Sequence, residues 1–359
     1  MVAQKQAPAP TRSTTRSLVV TPAVVAHRGA SGHRPEHTLD AYRTAIRMGV
    51  DDIELDLVIT ADGVLVARHE NELSLTTDVA EHPELAHHRT TRVVDGRPVS
   101  GWFTEDLTLA EVKRLAARER HPELRAHSAS HDGVEGVPTF NEVLAAVGAE
   151  ASRRGRTVGL MVELKHPSHF AAQGLPLVPP LLADLARHGL ADPRSRVSVM
   201  SFETGVLREL AGLCRLPLVQ LLEEGEGSPW DLELAGDPRT WADLVSPEGL
   251  AWIAEYADGL GVARSLVLPR GPDGRLGAPT DLVRRAHRHW LTVHVWTLRA
   301  ENRYLPSDLC GPGGPEAHGG LAAEVRAFLA AGVDGVITDH PDHVVPAVQG
   351  LGTRGEVVT

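Results

Sequence analysis

The amino-acid sequence predicts an α/β fold, a TIM (β/α)8 barrel carrying a small insertion after the second strand. Three observations predict it. Short β-branched runs alternate with helical patterns almost to the end of the 359 residues. The runs that a helix follows make about eight βα units, the number that closes such a barrel. The rival, an open doubly wound sheet, would carry a GxGxxG fingerprint after its first strand, whereas "GASG" has the wrong spacing.

The elements follow in order. "SLVVTPAVVAHRG" reads as the first strand and "HTLDAYRTAIRMG" as a helix closed by Gly49. "VDDIELDLVIT" and "GVLVARHE" are β-rich and joined by "ADG", a hairpin-type turn. "TFNEVLAAVGAEASRRG" predicts a helix, "TVGLMVELK" a strand, "LVPPLLADLARHG" a helix with prolines near its start, and "RVSVMSF" a strand. "TGVLRELAGLC" is helical, "LPLVQLLE" extended, "PEGLAWIAEYA" helical, and "DGLGVARSLVL" extended. "TDLVRRAHRHW" and "AAEVRAFLAAG" are helices on either side of strand "LTVHVWTLR", and "VDGVITD" is the last strand. Residues 1–20 predict a disordered lead-in, and 21–350 a single barrel domain. Within it, 71–136 is polar, rich in His, Arg and Pro and weakly periodic, which marks an insertion with a function rather than a plain loop. "LPSDLCGPGGPEAHGG" predicts a long exposed loop.

A formal net charge of −11 argues against a nucleic-acid partner, yet a local cationic site on an acidic protein can still take a small anion. No run approaches the ~20 apolar residues of a membrane span. The N-terminus has no apolar core of a secretory signal, so the chain as given is expected in the cytoplasm, or in the periplasm or outside if a signal has been removed. Cys214 and Cys310 suit neither a zinc knuckle nor a redox pair and read as two isolated buried thiols. The oligomeric state is not legible.

Chemistry is concentrated at strand ends. In "DIELDLVIT", alternation puts Glu54 and Asp56 on one face, and in "LMVELKHP" it does the same for Met161, Glu163 and Lys165. On a solvated strand these acids need no explanation. Inside a parallel barrel they would repel one another, and a hard cation such as Ca²⁺ or Mg²⁺ would remove that repulsion. His27 and His69 each close an apolar run, where barrel active sites are built, and suit a general acid and base. Arg28 and Lys165 suit an anion such as phosphate. Glu36 either supports them or favours the start of the following helix, and Trp296 is either a substrate wall or core. Six histidines of the insertion (His82, His87, His88, His121, His127 and His131) read as solvated, and His33 and His37 have no assigned role.

"AHRGASGHRPEHTLDAY", "DDIELDLVITADGVLVARHEN", "MVELK", "PTFNEVL", "HVWTLR" and "GVDGVITDHP" together resemble the glycerophosphodiester phosphodiesterases. The likeness runs from about Val24 to Val345, and its ordered combination is specific where no single piece is. "PEHT" and Arg299 after "WTL" look like the bacterial periplasmic or secreted branch. Many relatives have Asn where His37 stands and Asp where Glu70 stands. The resemblance implies a barrel with an insertion after the second strand. It also implies a divalent metal on Glu54, Asp56 and Glu163, Ca²⁺ in that branch with Mg²⁺ as the alternative. His27 and His69 match the acid–base pair, and Arg28 and Lys165 the phosphate contacts. The expected reaction is hydrolysis of a small-molecule glycerophosphodiester to sn-glycerol 3-phosphate and an alcohol. The rivals are a phospholipase C- or D-like enzyme acting on intact lipid and a non-catalytic phosphate- or sugar-binding barrel.

Overall fold

The computed structural model describes residues 22–352; the predicted lead-in lies outside the described residues. Eleven strands occur in it: β1 Ala23–His27, β2 Asp52–Ile59, β3 Leu65–Ala67, β4 Thr90–Val94, β5 Arg97–Gly101, β6 Gly159–Leu164, β7 Val197–Ser201, β8 Leu218–Leu222, β9 Gly259–Ala263, β10 Thr292–Leu298 and β11 Gly335–Thr338. Eight of them pair in parallel in the order β1, β11, β10, β9, β8, β7, β6, β2, and β1 pairs with β2 to close the ring. This is a TIM barrel.

The helices between the staves start and stop where local chemistry says they should. Thr38 caps Leu39–Met48 by accepting from the Ala41 N–H, and Gly49 ends it in the left-handed region. Thr139 and Glu142 form a reciprocal capping box on Phe140–Arg153. Alternation along the staves divides the apolar residues into two layers. Ile53, Leu55 and Leu57 face the helices in the main core, whereas Val25, Met161, Met200, Val219, Leu221 and Ile337 fill the lumen.

β3 is not a stave. β2 runs past the ring and turns at Thr60–Gly63, and β3 returns antiparallel beside it, with Ala67 opposite Leu57. The hairpin expected at "ADG" is present, so the apolar run that His69 closes is an antiparallel return strand and not the end of a barrel stave. The fold-back instead carries the chain down to the mouth, where the Arg68 N–H donates to the Asp56 carbonyl and His69 follows. Residues 71–136 then form the antiparallel β4–β5 hairpin and several short helical turns.

Two further expectations change, and one stave breaks its own alternation. The β9 strand ends at Ala263 in a 3₁₀ turn, sooner than "DGLGVARSLVL" suggests. Strict alternation along β10 puts Leu298 beside Trp296, but the pairing with β11 shifts between Val295 and Leu298, and Leu298 packs in the outer core. Cys214 is half-buried and Cys310 exposed, so neither is the buried thiol expected, and no disulfide joins them. No helix among the described residues is long and apolar enough to cross a membrane.

Candidate active site

A cavity of about 1120 Å³ opens over the C-terminal ends of the staves, and the insertion's β4–β5 hairpin contributes Val94, Asp95, Gly96 and Arg97 to its wall. His27, Arg28, Glu54, His69, Glu163, Lys165 and Trp296 all line it. Of the residues singled out from sequence, only Asp56 and Glu36 lie outside that lining, Asp56 below it and Glu36 behind Arg28.

Pairing in register brings the acids together. Asp56 lies opposite Glu163 across β2–β6, and Glu54 opposite His27 across β1–β2. Glu54 is 3%, Asp56 1% and Glu163 6% exposed, which rules out the solvated-face reading. One oxygen from each of the three lies within 4.8 Å of the others. Asp56 Oδ1 and Glu163 Oε1 are buried without a well-aligned hydrogen bond, although Lys165 Nζ lies 3.5 and 2.7 Å from them. Burial, then the Asp56 charge, pushes the Glu54 carboxyl well above its ordinary value. Burial likewise pushes Glu163 up, to about 8. Burial acts the same way on Asp56, but Lys165 and Arg28 outweigh it and hold that carboxyl well below its ordinary value. Three hard oxygen donors, two of them reluctant to ionise unaided, fit a divalent cation such as Ca²⁺ or Mg²⁺.

The cationic residues are placed by unusual backbone. Arg28 has φ 58°, a region costly for a side-chain-bearing residue, and its N–H donates to Glu54 Oε2 at 2.8 Å. The next residue must be glycine, because a Cβ at Gly29 would sit 2.7 Å from the Ala41 backbone. The Arg28 guanidinium then meets Asp56 at 3.1 Å and Glu36 at 3.2 Å. The helix-start reading of Glu36 gives way here: Thr38 is the cap, and Glu36 pairs with Arg28 and Arg120.

Each histidine leans on a carboxylate through Nδ1. His27 is 2.6 Å from Asp339 Oδ1, and His69 is 2.7 Å from Glu70 Oε1. A carboxylate there accepts a hydrogen bond from Nδ1–H, which leaves Nε2 with its lone pair. Burial first and Arg28 second lower His27 to about 4. Burial, Arg28 and Lys165 lower His69 to about 3. Trp296 is half-buried on the lumen cluster, edge-on to Phe202 at 5.7 Å between ring centres, and is both core and cavity wall.

Several participants escaped the sequence reading. His37 is buried, and its Nε2 lies 2.9 Å from Asp56 Oδ2 while Nδ1 meets the Tyr42 hydroxyl at 2.8 Å. It therefore has a role, as a support for Asp56. Asp339, just past β11, accepts from His27, from Arg125 at 2.6 Å and from Arg299 at 2.7 Å. Its place at a strand end was the available signal. Arg120 bridges Glu36 and Glu70 with four hydrogen bonds of 2.6–2.8 Å, and neither it nor Arg125 carries any local signal. The six insertion histidines are exposed or half-buried, as read.

Residues 27–343 match the model of the glycerophosphoryl diester phosphodiesterase family. A glycerophosphodiester phosphodiesterase of Arabidopsis thaliana is 32% identical over 293 residues, 78% of this chain and 75% of its own length. A putative glycerophosphoryl diester phosphodiesterase of Silicibacter pomeroyi superposes with TM-score 0.65 at 24% identity, covering 94% of this chain and 96% of that one. A phosphodiesterase of Oleispira antarctica in complex with the product sn-glycerol-3-phosphate gives 0.58 at 20% identity, covering 92% and 97%. The two structures share the fold.

Proposed function

The chain belongs to the glycerophosphoryl diester phosphodiesterase family, and from that premise we propose that it hydrolyses glycerophosphodiesters to sn-glycerol 3-phosphate and an alcohol, with one divalent cation, Ca²⁺ or Mg²⁺. The observation that carries the reading is the convergence of three buried carboxylates, two carboxylate-backed histidines, Arg28 and Lys165 on one cavity. The Oleispira neighbour's sn-glycerol-3-phosphate is consistent with that product.

Glu54, Asp56 and Glu163 would hold the cation, which when bound supplies Lewis-acid polarisation of phosphoryl oxygens. Arg28 and Lys165 take the non-bridging oxygens and spread the charge that develops there. The lone pair on Nε2 suits either histidine to accept the nucleophile's proton. The other must carry a proton to the leaving alkoxide, and substrate itself favours that form. Burial, then the Arg28 and Lys165 charges, keeps His69 neutral in the free protein, and Arg28 acts likewise on His27. A bound phosphodiester anion pairs with those cations and raises both imidazoles toward protonation. Asp339 and Glu70 stabilise whichever imidazolium forms.

The test is release of glycerol 3-phosphate from glycerophosphocholine with EDTA, then with Ca²⁺ or Mg²⁺ restored. Turnover that EDTA abolishes and a cation restores is expected. No turnover with any cation overturns the reaction; turnover indifferent to EDTA overturns only the metal.

A further inference from the structure

The foot of the barrel carries a charge cluster that the chemistry at its mouth does not use. Helices Leu39–Met48 and Phe140–Arg153 pack side by side, and each returns the chain to the start of a stave, Asp52 of β2 and Gly159 of β6. Their C-terminal ends lie on the far side of the barrel from the catalytic cavity. There Arg47, Arg153 and Arg154 gather around one carboxylate, Glu150, which is 4% exposed. Glu150 accepts from Arg47 Nε at 3.2 Å and from Arg153 Nη2, and Arg154 Nε lies 3.6 Å from it. These four residues line a surface concavity of about 380 Å³.

Three guanidiniums against one carboxylate leave two positive charges uncompensated. Arg239 with Asp237 and Arg196 with Asp52 show the simpler arrangement, one acid to one arginine. No second acid makes up the difference, because Asp40 is 3.9 Å from Arg47 and is already bound to Arg34 at 2.6 Å. Arginines at helix C-termini ordinarily cap carbonyls and complement the dipole. Among the described residues, none of these three guanidiniums donates to a carbonyl. Arg156 does that instead, to Val50 at 2.6 Å. Glu150 thus tethers the three forks through part of their donors, and the rest line the concavity.

We propose that the concavity is a second anion site, for a small phosphate dianion such as inorganic phosphate or a phosphate monoester. Forked N–H donors match the terminal oxygens of phosphate, and two surplus charges match the dianion. A phosphodiester monoanion satisfies only half of that charge and is the poorer ligand. The site stands independently of the phosphodiesterase reading.

The experiment is calorimetric titration at pH 8 in EDTA and at fixed ionic strength, with inorganic phosphate, glycerol 3-phosphate and glycerophosphocholine in turn. Arg28→Gln/Lys165→Gln first removes the cations of the mouth. That protein is expected to bind both dianions with a dissociation constant of about 1 mM or tighter, and the diester at least about tenfold more weakly. Adding Arg153→Gln/Arg154→Gln, both at exposed positions, should weaken the dianions at least about tenfold, the loss of one charge-assisted hydrogen bond. Loss of all dianion binding with the mouth cations, or equal binding with and without the foot arginines, would overturn the site. Should the mouth variant not fold, Arg153→Gln/Arg154→Gln in the otherwise wild-type chain is expected to bind one phosphate fewer than the wild type. An unchanged number would overturn the site equally.

Discussion

Asp339 Oδ1 lies 2.6 Å from Nδ1 of His27, joining residues 312 apart in sequence at the ends of two neighbouring staves. The contact holds the imidazole in the tautomer whose Nε2 can accept a proton. Arg125 and Arg299 grip Asp339 in turn, so the carboxylate is fixed before substrate arrives. Asp339→Asn keeps the shape but loses the charge that stabilises an imidazolium. Its kcat should fall by at least about 100-fold with a small change in KM, the range of a lost acid–base contribution. A variant retaining wild-type kcat would show that His27 needs no orienting group.

Cation binding should release protons. Burial raises Glu163 to about 8, so it favours the protonated form at pH 7 without an ion, and burial with the Asp56 charge shifts Glu54 in the same direction. Coordination requires carboxylates, and about one proton or more should leave per ion bound at pH 7. The number should fall above pH 9. Calorimetric titration of Ca²⁺ in buffers of different ionisation enthalpy measures it directly. An apparent enthalpy independent of buffer at pH 7 would contradict the assignment.

His37 offers a finer test of the same centre. Its Nε2–H bond to Asp56 and the Tyr42 hydroxyl behind it hold that carboxylate from outside the ligand set. Supports of this kind are worth about 10–100-fold in metal affinity. His37→Leu should weaken Ca²⁺ binding by at least the lower figure. His37→Asn, which can still donate, should lose less. Equal losses in the two would mean that volume, not the hydrogen bond, matters.

What the sequence made legible follows from the length of the pattern that encodes it. Two-residue alternation placed Glu54, Asp56, Glu163 and Lys165 on the lumen face, and strand ends picked out His27. His69 was found by the same rule for an incomplete reason, since the strand before it folds back outside the ring. The insertion was visible only as a loss of periodicity. Arg120 and Arg125 act across 84 and 214 residues, to Glu36 and Asp339, and no local pattern encodes a contact of that range. His37 was passed over because it lies in a loop and its partner, Asp56, on β2.

The histidines also set a pH dependence of stability. Burial first, then Arg28, lowers His27 to about 4, against an ordinary value of 6.5. Between those values the unfolded chain binds a proton that the folded chain refuses, so stability rises with pH across that window and is lost as pH falls through it. At pH 4.5 the cost from His27 alone is on the order of 2 kcal/mol. Urea unfolding of the wild type and of His27→Gln, in EDTA at pH 7 and pH 4.5, isolates it. The variant should lose less stability between the two pH values.

Arg120 carries the last prediction, because it is where the insertion meets the chemistry. Its guanidinium binds Glu36, which holds Arg28, and Glu70, which holds His69. Arg120→Met keeps much of the apolar stem and leaves two carboxylates without their shared cation. Glu36 then pulls harder on Arg28, and Glu70 is free to turn away from His69. Breaking one partner out of a largely buried charge network costs about 3 kcal/mol. The midpoint of thermal unfolding should therefore drop, and kcat should fall well beyond what lost stability explains when assayed far below that midpoint. Unchanged kcat in folded Arg120→Met would show that the insertion walls the cavity without positioning the groups that act in it.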